Sequence, residues 1–396
     1  MANTINYAEM WQSEIIKTLA EGAFSASFIT SNVKFLNAKT FHFTTMSTGG
    51  YGDHSRAGGW NRSKIDQADV PFTLTHDRDV EFLVDKADVD ESNQTAGAQK
   101  TTEVFTTEHQ VPEMDARFYS VVSEQATANA LYTDETFDKT NVYSKLKATI
   151  SAVRRYRATL EIHMSPDAMD ALELSTEITK RIEFTQVTAG GFGIETRVTS
   201  IDGIRLIEVS DVERFNTLVD YSATTTNGEV GFSGDIAEST PISWIAVDTK
   251  RCITVPKIAS IYFFAPGAHQ LGDGYLYQNR SYWDTFVFPD GTRGIKSVYV
   301  SFDSASLVVT SEEGTAVGDT KITLDREIAA TGDYSYAYNT GAGLSVPAYG
   351  DDLSAYTAWN GIVDITATTG EDIVIAVIDG DDKAITSGLA VVVSKA

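Results

Sequence analysis

Apolar side chains change their spacing several times along this chain, and each change marks a change of element. Ala8, Trp11, Ile15, Ile16 and Leu19 recur at helical steps, which predicts a short amphipathic helix within an N-terminal arm. In KTFHFTTM the period falls to two and places Phe41 and Phe43 on one face. VPFTLTHDRDVEFLV continues that period with Val70, Phe72 and Leu74, then Val80, Phe82 and Val84, so two long strands are predicted. Between them lies STGGYGDHSRAGGWNRS, residues 47–63, which carries Tyr51, His54, Arg56, Trp60 and Arg62 among Gly49, Gly50, Gly52, Gly58 and Gly59. A tip of this length is exposed in a lone subunit, and exposed aromatics imply that something covers them. The glycines are read as freedom for the tip to bend onto a partner's surface.

From Gln99 to about Ala130 the spacing returns to three and four residues, with Val104, Val111, Met114, Phe118, Val121 and Val122 inward. Pro112 removes a backbone donor inside that run and predicts a kink or local break. A second helix is predicted from roughly Thr140 to Arg157, with Val142, Leu146, Ile150 and Val153 inward. A third follows Ser165-Pro166-Asp167, a cap with proline in the first turn. The stretch 182–300 is mostly strand-like, with a turn at Asp202-Gly203, and 220–241 reads as a long exposed loop. Beyond Val300 the composition shifts. Residues 303–396 hold 15 carboxylates against 4 basic residues, and runs such as DIVIAVID and GLAVVVSKA between turn pairs predict a small all-β sandwich.

With 396 residues, 42% of them hydrophobic, the chain can build one large domain and a smaller one. Its formal charge of -24 excludes strong nonspecific binding to nucleic acid, which needs a basic surface. Cys252 is the single cysteine and sits in an apolar stretch, so it reads as a buried small hydrophobe and excludes a disulfide framework. The start MANTINYAEMWQSE has no signal-peptide pattern, and no run of about 18 apolar residues occurs. A soluble chain made in the cytosol, with no membrane partner, is the expectation.

Candidate chemistry is sparse. His42, His54, His76, His109, His163 and His269 show no paired metal-ligand spacing. There is no phosphate loop or nucleophile elbow, and AGGFG at 189–193 lacks the dinucleotide-binding spacing. Asp53, His54 and Ser55 are adjacent on a loop, where a catalytic triad seldom converges. Asp88, Asp90 and Glu91 read as a solvated linker, and DGDD at 379–382 as a turn rather than a calcium loop. No enzymatic activity, cofactor or metal is expected.

The order of these elements resembles the major capsid proteins of tailed phages, the Hong Kong phage type of shell fold. The local matches are VPEMDARF at 111–118, HMSPDAMDAL at 163–172, IDGIRLIEVSDVERF at 201–215 and IYFFAPGAHQLGDGYLYQNRSYWDTFVFPDGTRGIKSVYV at 261–300. That resemblance implies an α+β capsid fold. Its parts would be an N-terminal arm at 1–35, an extended loop and linker at 36–94, and a peripheral domain with a spine helix at 95–164. An axial domain at 165–257 and a return to the peripheral domain at 258–302 would follow. The last segment, 303–396, resembles the small β-domains appended to some such proteins as outer-surface decoration.

The resemblance implies a major capsid protein that self-assembles as hexamers and pentamers into an icosahedral head shell, with Tyr51, Arg56, Trp60 and Arg62 as inter-subunit contacts. It further implies a separate scaffolding protein or none, a portal protein as neighbour, and packaged DNA enclosed without specific binding. Location would be the virion capsid, after assembly in the host cytoplasm. No maturation cleavage is expected, because the chain opens directly on an arm, and no subunit cross-linking is expected at Lys64. The competing reading is a cell-surface β-rich adhesin or hydrolase.

Overall fold

The computed structural model describes residues 23–30, 40–54, 58, 60–86, 104–154, 159–175, 187–189, 192–194, 200–222, 231–234, 236–264, 267–268, 273–290, 294–326, 328 and 334–396. The expected arm helix, the Asp88–Glu91 linker, Ser55, Arg56 and His269 lie outside them. The chain divides into two compact units, Met1–Met114 with Asp248–Ser297, and Asp115–Val247 with Val298–Ala396.

In the first unit, β1 (Thr40–Thr48) and β2 (Ile65–Thr73) pair with each other alone as an antiparallel ribbon. The run predicted as one strand through Val84 is broken at Leu74 and Thr75, and β3 (His76–Asp85) joins a different sheet. That sheet has the order β11-β12-β3, with β11 at Cys252–Phe264 and β12 at Gly274–Val287. The break is fixed by side chains the period-two pattern does not reveal. Asp284 accepts hydrogen bonds from Thr75 N at 2.9 Å and Thr75 Oγ1 at 2.8 Å, and the Tyr282 hydroxyl donates to Leu74 O at 2.9 Å. Cys252 is buried, and that burial pushes its thiol pKa up, so it is the inert hydrophobe the sequence implies.

A π-helical turn, Thr106–Gln110, leads into helix α1 (Val111–Ala128). The Val111 N–H reaches back five residues to Thr106 O, so the widened turn absorbs the proline at 112, which has no N–H to give. The predicted disturbance is therefore present and lies just before Pro112. Glu113 on the first turn accepts from Arg78 Nε at 2.9 Å and lies 2.9 Å from His76 Nε2, while Val111 and Met114 pack on Trp283.

The second unit carries a six-stranded mixed sheet of order β4-β13-β10-β5-β9-β8. Its strands are β4 (Tyr132–Asp134), β5 (Leu160–Met164), β8 (Ser200–Ile201), β9 (Ile204–Glu208), β10 (Ile242–Asp248) and β13 (Val298–Phe302). Helices α2 (Val142–Arg154) and α3 (Pro166–Glu173) pack on it, and Val142, Leu146, Ile150 and Val153 all face inward as their spacing predicts. Ser165 caps α3 by accepting from Ala168 N, with Pro166 in the first turn. Asp202 and Gly203, with φ of 54° and 75°, form the tight turn between β8 and β9. A separate short hairpin joins β6 (Val187–Ala189) to β7 (Phe192–Ile194).

The same unit contains a two-sheet β-sandwich. One sheet has the order β14-β15-β18 and the other β17-β16-β19-β20. The strands are β14 (Val309–Glu313), β15 (Asp319–Leu324), β16 (Ser335–Gly341), β17 (Thr357–Trp359), β18 (Ile365–Thr366), β19 (Asp372–Ile378) and β20 (Ala384–Val391). In β19, Ile373, Ile375 and Val377 enter the inter-sheet core, while Ala376 and Ile378 pack with Leu353 on the opposite face. Burial on both faces explains why DIVIAVI reads as a continuous apolar run. The acidic 379–382 segment is the turn between β19 and β20, with Asp379 Oδ1 accepting from Asp381 N and Lys383 N.

The expectation of an exposed loop over 220–241 fails in its second half. Ala237 enters the sandwich core, and Ser239 and Thr240 are fully or almost fully buried. Polar composition misleads here because hydroxyls satisfy the buried backbone. Ser239 Oγ donates to Leu218 O at 2.8 Å, Thr217 Oγ1 accepts from Thr240 N at 2.9 Å, and buried Arg326 donates through Nη1 to Ser239 O at 2.9 Å.

Asp134 is a second tie between the sandwich and the mixed sheet. Its carboxylate accepts from Ser304 N at 2.8 Å, Ser304 Oγ at 2.6 Å and Tyr349 N at 2.7 Å. Asp134→Ala strands those donors and should lower stability by about 1–3 kcal/mol, read as a lower urea midpoint, while Asp134→Asn should cost less. Equal midpoints for parent and alanine variant would remove this role.

His163 in β5 is fully buried, with Nδ1 2.7 Å from the Tyr119 hydroxyl and Phe215 edge-on to Tyr119. Burial, with Arg205 adding, lowers its pKa from 6.5 to about 3. Burial also raises the Tyr119 pKa well above its ordinary value. Between pH 6.5 and 3 the unfolded chain binds a proton on His163 that the folded chain excludes. Stability therefore rises with pH in that window, by at most about 1.4 kcal/mol per unit, and this contribution is constant above it. His163→Gln should lose less stability than the parent on acidification from pH 6.5 to 5, measured by urea unfolding; an unchanged pH slope would contradict the assignment.

Candidate assembly interface

The ribbon formed by β1 and β2 runs for nine residue pairs, from Thr40 opposite Thr73 to Thr48 opposite Ile65, a reach of about 30 Å. Its root is well packed. Phe41 and Leu74 are buried with Val255, Tyr282, Phe286 and Phe288, and Phe72 meets Phe286 edge-on at 5.5 Å. Phe43, one step further out, stacks on Phe288 at 4.3 Å and is already partly exposed.

Beyond Phe43 the described apolar side chains of the ribbon become exposed. Met46 is 62% and Ile65 70% exposed, and among the described residues the sheet has two strands. The ribbon there is held by backbone pairs and by polar contacts such as Thr44 Oγ1 donating to Asp69 Oδ1 at 2.7 Å. An isolated two-stranded hairpin is at best marginally stable in water, so this ribbon relies on its root.

At the far end, Gly49 N donates to Lys64 O at 3.1 Å and Asn61 Nδ2 donates to Asp53 O at 2.8 Å, which draws the two sides of the tip together. Trp60 is 93% exposed, and Tyr51, Arg62 and Lys64 are also exposed. His54 lies 6.5 Å from Trp60, ring centre to ring centre. Arg56, the remaining tip residue singled out from the sequence, lies outside the described residues.

Two of the tip glycines also have a steric role that the sequence reading did not give them. Gly49, Gly50 and Gly52 are absent from the residues with positive φ, so left-handed backbone is not what they supply. A Cβ at Gly49 would sit 2.0 Å from Ser63 Oγ, and one at Gly52 2.9 Å from Asn61 Nδ2. Both permit the two sides of the tip to approach closely.

Next to the ribbon, the β11-β12-β3 sheet has an exposed face that sequence reasoning did not single out. On β3 the exposed positions are Asp77, Asp79, Glu81, Leu83 and Asp85, in strict alternation. The register places Glu81 beside Gln278, and Gln278 beside exposed Tyr262. Arg280 forms a two-pronged pair with Asp77 at 2.6 and 3.0 Å, and hydrogen bonding to Asp77 raises the guanidinium pKa further. The alternation was legible as a strand; its carboxylate face was not, because the apolar positions took precedence in the reading.

Among the described residues no group of three or more His, Cys, Asp or Glu is arranged to hold a metal ion. No helix among them is long and apolar enough to cross a membrane.

Several solved structures are similar to the chain. The asymmetric unit of the bacteriophage PhiM1 mature capsid is 14% identical over 71% of this chain and 86% of that one, with a TM-score of 0.42. The capsid of the cyanophage P-SCSP1u is 14% identical over 69% and 86%, with a TM-score of 0.46. Mycobacterium phage Bobi is 12% identical over 71% and 90%, with a TM-score of 0.47. A family model described as the S-layer protein SbsC C-terminal domain matches residues 312–387. No curated protein matches the chain.

Proposed function

We propose that this chain is the major capsid protein of a tailed bacteriophage, closing as hexamers and pentamers into an icosahedral head shell around double-stranded DNA. The observation that carries this reading is the ribbon. It presents Tyr51, Trp60, Met46 and Ile65 to solvent on an arm that, among the described residues, is a two-stranded sheet. Burial of such residues against another copy supplies what the lone subunit lacks. The element order supports a shell subunit in particular: ribbon, long helix, mixed sheet, then strands that return to the first unit.

In this reading Tyr51, Arg56, Trp60 and Arg62 are inter-subunit contacts. Residues 1–35 are the arm, 36–94 the extended loop and linker, 95–164 and 258–302 the peripheral domain, and 165–257 the axial domain. The sandwich over 303–396 faces outward, a position supported by its excess of carboxylates and by the match of 312–387 to a domain of an S-layer protein. A net charge of -24 suits a wall that encloses DNA without adhering to it. Assembly would take place in the host cytoplasm, with a portal protein at one vertex and a separate scaffolding protein or none.

Sedimentation and negative-stain electron microscopy of the chain, expressed with the genes that flank its own, should show closed megadalton particles. The double variant Tyr51→Ala/Trp60→Ala should keep the parent's circular dichroism and melting temperature. Loss of a buried interface tryptophan costs about 2–4 kcal/mol per contact, so particle yield should collapse. A chain that remains a monomer or small oligomer would instead fit the β-rich adhesin or hydrolase, and full particle yield from the double variant would show that the tip is not a contact.

A further inference from the structure

We propose that the tip docks on the exposed face of β3 in a second copy, with Trp60 over Leu83, and Arg62 and Lys64 on Glu81 and Asp79. This rests on the capsid reading and names the surface that covers the tip. Charge is the first reason. The chain is strongly acidic, so two copies meeting at arbitrary surfaces repel each other. Residues 49–64 reverse the sign locally, with Arg56, Arg62 and Lys64 against the single carboxylate of Asp53. A cationic, aromatic tip therefore seeks an acidic face that also offers apolar area.

The face of β3 has both. Asp77, Asp79 and Glu81 stand on one side of a single strand, about 7 Å from one to the next, and Asp85 follows about 14 Å beyond Glu81. Together they form a negatively charged strip that a cationic surface complements. Arg280 on Asp77 and Gln278 Nε2, which donates to Glu81 at 2.6 Å, hold the row in place. Leu83, 51% exposed, interrupts the carboxylates and gives an apolar seat between Glu81 and Asp85. Exposed Tyr262 lies on the same face, two strands across from Glu81, where a guanidinium can reach carboxylate and ring together.

On the tip, Trp60, Arg62 and Lys64 occupy alternate positions, as do Leu83, Glu81 and Asp79 on β3. The two sets can match in order. Tip and seat are different surfaces of one subunit, so the contact is heterologous and passes from copy to copy until a ring closes.

Charge exchange tests the pairing. Arg62→Glu/Lys64→Glu and Asp79→Lys/Glu81→Lys should each lower particle yield at least about tenfold, by sedimentation, with unchanged circular dichroism. All four substitutions in one chain should restore particles to within about threefold of the parent, because the charges then face each other reversed. Single exchanges that leave yield normal, or a combined variant that fails to restore it, overturn the pairing. If that happens while Tyr51→Ala/Trp60→Ala still abolishes particles, the tip docks elsewhere and the capsid reading stands. A parent chain that never assembles removes the capsid reading itself, and this pairing with it.

Discussion

Two paired strands satisfy each other's backbone but bury nothing unless a third layer covers them. That constraint governs the first unit. From Phe43 outward the described residues of the ribbon are joined by hydrogen bonds and largely exposed, and the packing that directs it lies at the root. There the chain turns at Leu74 and Thr75, where a carboxylate from β12 takes both donors of Thr75 and a tyrosine hydroxyl takes the Leu74 carbonyl. Beside it, Glu113 joins the first turn of α1 to His76 and Arg78 at the start of β3. Truncating one member of a partly buried charged group leaves the others without compensation, so such a clamp yields abruptly rather than by degrees. The result is a stiff mounting for an arm whose outer half has little stability of its own.

The second unit solves the opposite problem, joining a sandwich to a mixed sheet through groups that composition alone would place in solvent. Asp134 spends its acceptors on Ser304 and Tyr349 from the far end of the chain. Ser239 and Thr240 pair with Leu218 and Thr217 on one side, and Arg326 reaches the Ser239 carbonyl from the other. Because these hydroxyls and the Arg326 guanidinium pair with buried backbone groups, the segment can carry Ala237 into the sandwich core.

Where one face of an element meets the core, its sequence shows it. The four inward positions of α2, the cap of α3, the Asp202-Gly203 turn and the alternating strands of the ribbon are all set by local spacing. What escaped was set by partners far along the chain. Nothing local to VPFTLTHD signals a break at Leu74, since Asp284 and Tyr282 impose it from more than two hundred residues away. The same holds for the burial of 236–240, whose glycine- and threonine-rich surroundings imitate a loop. In the candidate interface, Tyr51, Trp60 and Arg62 could be picked out because aromatics on a long tip are conspicuous. The carboxylates of β3 were hidden in plain view, being the polar half of a pattern read for its apolar half.

The insertion of Ala237 into the sandwich also orders events in time. Strand β20 ends at Val391, and Val392 completes the cluster that surrounds Ala237. During synthesis the segment around residue 237 leaves the ribosome about 70 residues before Leu307, the first of its sandwich partners, and about 155 before Val392, the last, at roughly 5–20 residues per second. Until the last of them emerges, on the order of ten seconds later, the cluster around Ala237 is incomplete. A contact of such long sequence separation is slow to close, so the cluster around Ala237 is among the last parts of its unit to be completed.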